Sequence, residues 1–237
     1  MIKMYVYGKN VIKALIDNNK KIKKVYLSDN FNDSNLLESI NNLNVEIKTL
    51  PKQELDKIEK GNHQGIIALT DDYKYVSENE MLSNMSENPF VVILDHLEDP
   101  HNFGAIIRTC EAAGVDYIII PKDRSVGVTS TVVKTSVGAI YNVNIVMVTN
   151  LNNTIRKLKE KGLWIVGTDM VNSTLYDEID YKVPIGIIIG NEGSGMKSLV
   201  GKNCDFIARI PMIGKVNSLN ASVAAGIMIY EVLRQRK

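Results

Sequence analysis

The sequence predicts an α/β protein whose larger part is built on a parallel sheet. From residue 90 onward, five runs consist almost wholly of apolar residues and lack the polar alternation of a half-exposed strand. They are residues 91–94, 117–120, 145–148, 163–166 and 185–189. Strands covered on both faces, as in parallel sheets, show such unbroken runs. The runs start about 20 to 30 residues apart, which leaves room for a helix in each crossover.

The first 70 residues predict a smaller α/β module. Apolar residues recur at helical spacing in 10–16 and 36–40, and residues 24–28, 45–47 and 65–69 are typical of strands. Pro51 is expected to open one more helix, because proline is favoured in a first helical turn.

Residues 71–89 are mostly polar and predict a linker with a short helix. We therefore expect a first domain at 1–75, a linker at 76–89 and a second domain at 90–237.

Three helices are expected in the second domain. Residues 106–113 and 154–161 each end at a glycine, as helices commonly do. Residues 221–233 carry mostly small side chains, which would allow this last helix to pack at close range.

The composition is that of an ordinary globular protein, with 45% apolar residues, 23% charged residues and a net charge of +1. The charge is unevenly spread, since residues 1–70 hold 11 lysines and 8 acidic residues. Four of these lysines lie within residues 20–24. So short a basic run is usually a solvated surface, and a phosphate-contacting patch is the alternative.

Cys110 and Cys204 lack the spacing of a metal or redox site, and Cys110 is expected to be a buried thiol. Unpaired cysteines favour a reducing compartment. The sequence shows no signal peptide and no apolar run of membrane-spanning length. We therefore expect a cytoplasmic protein with no membrane partner.

Three segments combine small residues with polar side chains: 102–108, 190–195 and 210–220. Each follows or closely trails a predicted strand. Open α/β sheets bind small molecules outside the carboxyl ends of their strands. The three segments therefore predict an enzyme that handles a ligand there.

The glycine-rich segment 190–195 is a poor match to nucleotide-binding loops. A P-loop has lysine directly after its last glycine, but here Met196 holds that position and Lys197 comes one residue late. The segment after the first strand of this domain is not glycine-rich, as a dinucleotide fingerprint would require. A plain turn at 190–195 is the alternative.

Two other polar segments have simple structural explanations. Residues 95–101 concentrate carboxylates and histidines, but a metal site would need ligands on a rigid element at a defined repeat. We expect a turn with capping acids there, and no metal. Ser218 and Asn220 precede the last helix, where either is also a suitable N-cap.

Together, the three segments resemble the three sequence motifs of the SpoU family of RNA ribose 2′-O-methyltransferases, within the SPOUT superfamily. Residues 99–109 match the first motif, 188–195 the second, and 210–212 with 216–224 the third. The resemblance implies that residues 90–237 form a SPOUT domain, an α/β domain with a parallel sheet and a deep trefoil knot. Threaded chains are rare exceptions to normal topology, so pattern rules alone would not predict the knot.

Residues 1–75 resemble the family's RNA substrate-binding domain, which is similar to ribosomal protein L30e. The likeness rests on Tyr7-Gly8-Lys9-Asn10-Val11 and Asn62-His63-Gln64-Gly65-Ile66. Within the TrmH/RlmB-like enzymes, a small L30e-like α/β domain before a SPOUT domain is typical of the RlmB-like branch, which methylates guanosine in large-subunit ribosomal RNA. The branch that acts on transfer RNA has a different extension. We expect residues 1–75 to supply most of the RNA affinity.

The resemblance also implies the cofactor S-adenosylmethionine, held in a bent pose by backbone groups of the loops. Gly190, Ile210 and Leu219 are the implied contact positions, and Thr168, after a strand end, is a further candidate. The family is dimeric, so we expect a homodimer whose active site is completed across the interface.

By the same resemblance, the catalytic candidates are Arg108, Asn102, Glu192, Ser218 and Asn220. A guanidinium stays protonated near neutral pH. Arg108 is therefore better suited to orient an RNA phosphate and stabilise a developing alkoxide than to act as a base. Asn102 would position Arg108 or the ribose, and Glu192 would fix loop or substrate geometry. Ser218 and Asn220 would contact the substrate or the methionine end of the cofactor.

The sequence thus predicts an S-adenosylmethionine-dependent RNA 2′-O-ribose methyltransferase acting on a guanosine of large-subunit ribosomal RNA. Transfer RNA as the acceptor is one alternative. A non-catalytic RNA-binding protein that keeps the fold is another. A nucleotide-dependent enzyme is disfavoured by the position of Lys197.

Overall fold

The computed structural model describes residues 3–191, 195–216 and 218–237. The chain forms two compact units, Met1–Lys74 with Val128–Asn142 and Tyr75–Gly127 with Val143–Lys237. In chain order, the elements are β1 Lys3–Tyr7, α1 Lys9–Asp17, β2 Ile22–Ser28, α2 Ser34–Asn41, β3 Glu46–Leu50, α3 Lys52–Ile58, β4 Ile66–Asp71, α4 Glu78–Ser83, β5 Phe90–Leu94, α5 Pro100–Ala113, β6 Tyr117–Pro121, α6 Ser130–Thr135, a 3-10 helix Ala139–Asn142, β7 Asn144–Val148, α7 Leu151–Glu160, β8 Trp164–Thr168, β9 Thr174–Leu175, β10 Ile185–Ile189, α8 Ser198–Gly201, β11 Phe206–Arg209 and α9 Ala221–Arg236.

The first unit is built on a sheet in the order β1-β4-β2-β3. Strand β4 is antiparallel to β1 and β2, and β2 is parallel to β3. The elements predicted for this region are all present. Strand β1 is an addition, because of its five residues only Val6 and Tyr7 are buried against the sheet, too few for an apolar run.

Local sequence explains the helices of this unit. Helical spacing in α1 places Val11, Ile12 and Leu15 in the core. The carboxylate of Asp33 caps α2 by accepting a hydrogen bond from the backbone N–H of Leu36, 3.2 Å away, which satisfies a donor that the helix itself cannot pair.

Residues 128–142 come from the middle of the chain but belong to the first unit. Val132, Val133 and Ile140 are buried there. Gly138 has a φ of 86°, and a Cβ at this position would lie 2.4 Å from the Cβ of Ala14 on α1. The region predicted as a second domain, 90–237, includes this segment.

The second unit is built on a sheet in the order β7-β6-β5-β10-β8-β11-β9, and the neighbouring pairs among its described residues are parallel. The predicted parallel sheet is therefore confirmed, and the five predicted strands are present. Strands β9 and β11 are additions. Their residues are mostly partly exposed, so they lack the apolar run that marks the central strands.

Helix α5 begins six residues earlier than predicted. Asp99 caps it by accepting hydrogen bonds from the backbone N–H groups of His101, 3.0 Å, and Asn102, 3.4 Å. Pro100 occupies the first turn, and Gly114 ends the helix with a φ of 71°. The expected capping acid in this turn is confirmed.

Helix α9 packs against α5 and against strand β10. Its start is capped by Asn220, and its last residues are anchored by Arg236. The trefoil knot of this region stays a prediction. Within the described part of the chain, no helix has both the length and the apolar character needed to cross a bilayer.

Candidate active site

A cleft opens at one edge of the second unit's sheet, where the adjacent strands β10, β8 and β11 end. Parallel strands bring their carboxyl ends to one edge, so residues far apart in sequence meet there. The cavity measures about 350 Å³. Thr168, Gly190, Ile210 and Leu219, the four positions expected to contact a cofactor, all line it, and so does Ser218.

Gly190 marks the place where the cleft wall leaves no room for a side chain. A Cβ at this position would lie 2.5 Å from the backbone nitrogen of Met196 and 2.6 Å from the carbonyl carbon of Gly195. Next to it, Asn191 and Gly195 exchange two backbone hydrogen bonds, 3.0 and 2.9 Å long. The chain therefore folds back on itself directly after β10, and a larger residue would have to displace backbone.

This loop is held from the neighbouring strand by Asp95, which follows β5. The Asp95 carboxylate is fully buried. It accepts a hydrogen bond from the backbone N–H of Lys197, 2.7 Å away, and contacts the ring of His96. The side-chain amide of Asn191 donates to the carbonyl of His96 at 2.8 Å. A buried carboxylate is stable only where it is hydrogen-bonded, so Asp95 and the loop stabilise each other.

Thr168 joins the strands that flank the cleft, because its hydroxyl donates to the carbonyl of Ile188 on β10, 3.0 Å away. Asp169 and Arg209 also line the cavity and were not predicted as site residues. The guanidinium of Arg209 donates to the carbonyl of Ser173. Arg209 escaped prediction because it ends β11, a strand that the apolar pattern does not reveal.

Asn102 and Arg108 lie on α5, outside the group of residues that line the cleft. Asn102 is buried, whereas Arg108 is exposed. Six helical positions separate them, and at about 100° per residue they occupy different faces. Within the described residues, no hydrogen bond or ion pair to Arg108 is found, so its guanidinium is open to a ligand.

Ser218 and Asn220, two further catalytic candidates, differ in whether they line the cleft. Ser218 lines the cleft. The side-chain oxygen of Asn220 accepts hydrogen bonds from the backbone N–H of Ser222, 2.9 Å, and of Val223, 3.4 Å. Asn220 is thus the N-cap of α9, as one of the two interpretations of the sequence had it. The cap fixes the first turn of α9, whose residue Ala221 forms part of the cleft wall.

Glu192, the remaining catalytic candidate, lies outside the described residues. The same holds for Gly193, Ser194 and Asn217 of the sequence motifs.

The surroundings of the cleft argue against a thiol nucleophile or a P-loop. Burial raises the pKa of the Cys204 thiol to about 12 and raises the pKa of Cys110 as well, so both thiols stay protonated near neutral pH. Met196 packs inward, with its sulfur 3.8 Å from that of Cys204, and Lys197 is exposed. Within the described ranges, no three His, Cys, Asp or Glu side chains are grouped so as to hold a metal ion.

Comparison with known proteins identifies two family models in the chain. The model of the SpoU rRNA Methylase family matches residues 89–230. The model of RNA 2′-O ribose methyltransferase substrate binding matches residues 5–76. A protein of Staphylococcus saprophyticus, assigned to the TrmH family of tRNA/rRNA methyltransferases, is 44% identical over 242 residues, which cover 100% of this chain and 97% of the relative.

Solved structures of RNA methyltransferases also resemble this chain. An AdoMet-bound rRNA methyltransferase from Sinorhizobium meliloti has a TM-score of 0.84 at 26% identity, and the match covers 98% of this chain and 87% of that one. A TrmH/SpoU tRNA modifying enzyme from A. aeolicus is 32% identical with a TM-score of 0.57, and covers 67% of this chain and 80% of its own. The family model spans more than half of the sequence and the 44% identity extends over all of it, and the chain therefore belongs to the SpoU rRNA methylase family.

Proposed function

We propose that this protein transfers a methyl group from S-adenosylmethionine to the ribose 2′-hydroxyl of a guanosine in large-subunit ribosomal RNA. The observation that carries the proposal is the cleft at the ends of β8, β10 and β11. Three positions that the sequence motifs single out for the cofactor, Gly190, Ile210 and Leu219, meet in this one cavity with Thr168, although the four residues come from three strand ends and the segment before α9. The proposal places the protein in the cytoplasm.

The cleft suits this cofactor in size and in chemistry. Its volume of about 350 Å³ falls in the range of small-molecule sites. Ile189, Ile210 and Leu219 offer apolar surface for an adenine ring. The carboxylate of Asp169 can accept hydrogen bonds from ribose hydroxyls or balance positive charge. When bound, S-adenosylmethionine would supply a methyl group activated by its sulfonium.

The residues of the chain have to place the ribose hydroxyl in line with that methyl group and deal with its proton. Positioning by itself can account for a large part of a rate enhancement. Arg108 would hold an RNA phosphate through two hydrogen bonds and stabilise negative charge on the ribose oxygen. Because Asn102 lies on a different face of α5 from Arg108, it would position the ribose rather than Arg108, and Ser218 would contact the substrate or the methionine end. Asn220 would act by holding the start of α9, and Glu192 by fixing the loop.

The proposal includes a homodimer whose active site is completed by the second copy. Val223 and Tyr230 on α9 are 50% and 51% exposed, and Ile227 between them is half-buried. These three residues lie on one helical face, and an exposed apolar face of this kind marks an interaction surface. Because Arg108 does not line the cleft of its own subunit, a partner that brings the two together would complete the site.

Ribosomal RNA is favoured over transfer RNA by the extent of the structural likeness. The solved rRNA methyltransferase matches almost the whole chain, whereas the tRNA modifying enzyme matches two thirds of it. Transfer RNA as the acceptor is the second candidate, because the TrmH-family relatives are described for both RNAs.

The test is to map ribose methylation in all RNA of cells with and without the gene. We expect one 2′-O-methylguanosine of the large-subunit ribosomal RNA to disappear and to return with the wild-type protein but not with Arg108→Ala. Loss of a methyl group from a transfer RNA would favour the second candidate. Unchanged methylation of every RNA would contradict the proposal.

A further inference from the structure

The first unit has a cavity of its own, of about 630 Å³, and the residues around it belong to this unit alone. We propose that this cavity, which we call the N-terminal pocket, binds a single unpaired nucleotide of the substrate RNA. The inference rests on the proposed RNA substrate and adds the place and the form in which the first unit would hold it.

The pocket forms where the strand order brings four chain segments together. Strands β1, β2 and β3 end at the edge of the sheet at which β4 begins, because β4 runs antiparallel to β1 and β2. Lys9 follows β1, Ser28 ends β2 and residues 30–32 follow it, α3 follows β3, and residues 60–65 precede β4. The two sequence segments that resemble the RNA-binding domain, 7–11 and 62–66, thus meet at this edge.

One wall of the pocket is fixed by His63. Its ring is buried, and the backbone N–H of Gly65 donates to Nδ1 at 3.0 Å. Nδ1 therefore accepts, and Nε2 lies 2.9 Å from the carboxylate of Asp56, the partner to which it donates in the neutral ring. Asp56, the carboxylate at the pocket, is thereby engaged by the protein itself.

Gln64 connects this wall to Lys9. Its side-chain oxygen accepts hydrogen bonds from the backbone N–H of Lys9, 3.1 Å, and from the ammonium of Lys134, 3.3 Å. Gln64 has a φ of 55°, a backbone conformation that residues other than glycine rarely adopt. The oxygen is thus used within the fold, and no hydrogen bond from the NH₂ group of Gln64 is found among the described residues, so this group can donate to a ligand.

Lysines give the pocket the charge that a phosphate needs. Lys9, Lys52 and Lys60 line it. Lys9 pairs with Asp33 at 3.2 Å, but the ion pairs found among the described residues do not include Lys52 or Lys60, and both side chains are exposed. Two free ammonium groups at the rim suit the phosphates on either side of a nucleotide.

Amide side chains give the pocket the chemistry that a base needs. Asn30, Asn32, Asn62 and Gln64 line it, and each amide both donates and accepts hydrogen bonds. The volume falls in the range for small ligands and is too small for a base-paired helix. Proteins read RNA bases in this way on unpaired nucleotides, whose edges are free. The pocket therefore fits one nucleotide turned out of a helix, loop or bulge.

The test compares two double substitutions in the full-length protein. Lys52→Ala with Lys60→Ala removes the rim charges. Lys20→Ala with Lys21→Ala removes an equal number of positive charges just before β2, at the end of this strand that lies away from the pocket. Binding of a short single-stranded RNA of mixed sequence, and of the same RNA annealed to its complement, is measured by fluorescence anisotropy over a series of salt concentrations. S-adenosylmethionine affinity is measured beside it by calorimetry.

We expect the Lys52/Lys60 variant to bind the single strand about tenfold more weakly, with the salt slope reduced by about 1.4, which corresponds to two lost phosphate contacts. The Lys20/Lys21 variant should keep single-strand binding within twofold, and the duplex should respond alike to both variants. A third variant, Asn62→Ala, should reduce the preference of the protein among single-stranded homopolymers without a change in salt slope.

The proposal of a nucleotide pocket would be overturned if the two double variants lost equal RNA affinity. It would also be overturned if the Lys52/Lys60 variant lost equal affinity for the single strand and for the duplex. Neither result would affect the proposed function, which fails separately if the wild-type protein methylates no RNA. Unchanged cofactor affinity in both double variants ensures that a loss of RNA binding comes from the first unit.

Discussion

At the residue scale, Arg108 is a catalytic candidate whose surroundings leave it available to a substrate. It is exposed on α5, and it has no ion pair among the residues that the structure describes. We expect Arg108→Ala to slow methyl transfer by about 10² to 10³-fold, the usual effect of removing one group that stabilises developing charge. S-adenosylmethionine affinity should change by less than about threefold, because Arg108 does not line the cleft.

Both quantities are measured with labelled cofactor, in single-turnover transfer and in equilibrium binding. Arg156→Ala is the control, since Arg156 is also exposed and, among the described residues, its one hydrogen-bond partner is Asn153 on its own helix, α7. Parallel loss of transfer and of cofactor affinity in the Arg108 variant would contradict a role at the substrate.

A second prediction at the residue scale concerns Gly190. Alanine there would place its Cβ 2.5 Å from backbone, so the loop would have to open. We expect Gly190→Ala to abolish measurable S-adenosylmethionine binding in calorimetry while the protein stays folded. Gly214→Ala is the matched control, because a Cβ at Gly214 meets no atom within 4 Å. Retained binding in the Gly190 variant would mean that the cofactor does not use this loop.

A third prediction at the residue scale concerns Asp95. Its removal would leave the backbone N–H of Lys197 without the acceptor of a partly buried hydrogen bond, at a cost of about 1 kcal/mol. We expect Asp95→Ala to weaken S-adenosylmethionine binding about tenfold or more. Asp95→Asn, which keeps an acceptor oxygen, should lose less. If the two variants bind alike and as tightly as wild type, the loop does not depend on Asp95.

At the scale of elements, the two ends of α9 are fastened by different side chains. Asn220 caps the start next to the cleft. Near the other end, the guanidinium of Arg236 donates to carbonyl groups of the segments that precede β5 and β10, those of Asn88, Pro89, Tyr181 and Val183. It also lies 5.5 Å from the centre of the Phe90 ring. This one side chain therefore connects the last helix, α9, to the residues just before strands β5 and β10.

We expect Arg236→Ala to destabilise the second unit by about 2 to 4 kcal/mol, because several partly buried carbonyls lose their donor together. Trp164, the single tryptophan of the sequence, lies on β8 and reports the unfolding of this unit by its fluorescence in urea. Arg156→Ala should change stability by less than about 0.5 kcal/mol, as an exposed surface substitution does. Equal stability of the two variants would show that Arg236 does not hold α9.

At the scale of the whole molecule, the division into units affects how RNA binding can be tested. Residues 128–142 belong to the first unit, although they lie between β6 and β7 in the sequence. Removal of residues 1–75 would expose Val132, Val133 and Ile140. The expected contribution of residues 1–75 to RNA affinity is therefore measured by surface substitutions in the intact chain.

Assembly is the prediction that belongs to this scale. We expect the wild-type protein to have the mass of a dimer in light scattering, and Val223→Asp with Tyr230→Asp to have that of a monomer, because two charges would be buried on the apolar face of α9. The monomer should lose methyl transfer, since its site would be incomplete. Leu199→Asp, at an apolar residue of α8 that is 62% exposed, should remain dimeric. A monomeric wild-type protein with full activity would contradict the homodimer.

The central strands could be predicted because burial on both faces demands apolar residues at every position, as in 91–94 and 185–189. Strands β1, β9 and β11 could not, since edge or short strands need few apolar residues. The same limit explains why Arg209 was missed. The partly buried hydrogen bond of Asp95 was missed for a different reason. Its partner Lys197 lies 102 residues away, and no local pattern reports such a contact.

The sequence by itself determined the α/β class, the parallel sheet and the motif positions from which the family could be inferred, because periodicity and short motifs are local properties of the chain. Tertiary structure alone decided that Thr168, Gly190, Ile210 and Leu219 line one cleft, that Asn220 caps a helix, and that residues 128–142 pack with the first unit. The physical reason is that these facts depend on which strands become neighbours. Strand order is fixed by packing between distant segments, and the amino-acid pattern of any one segment does not contain it.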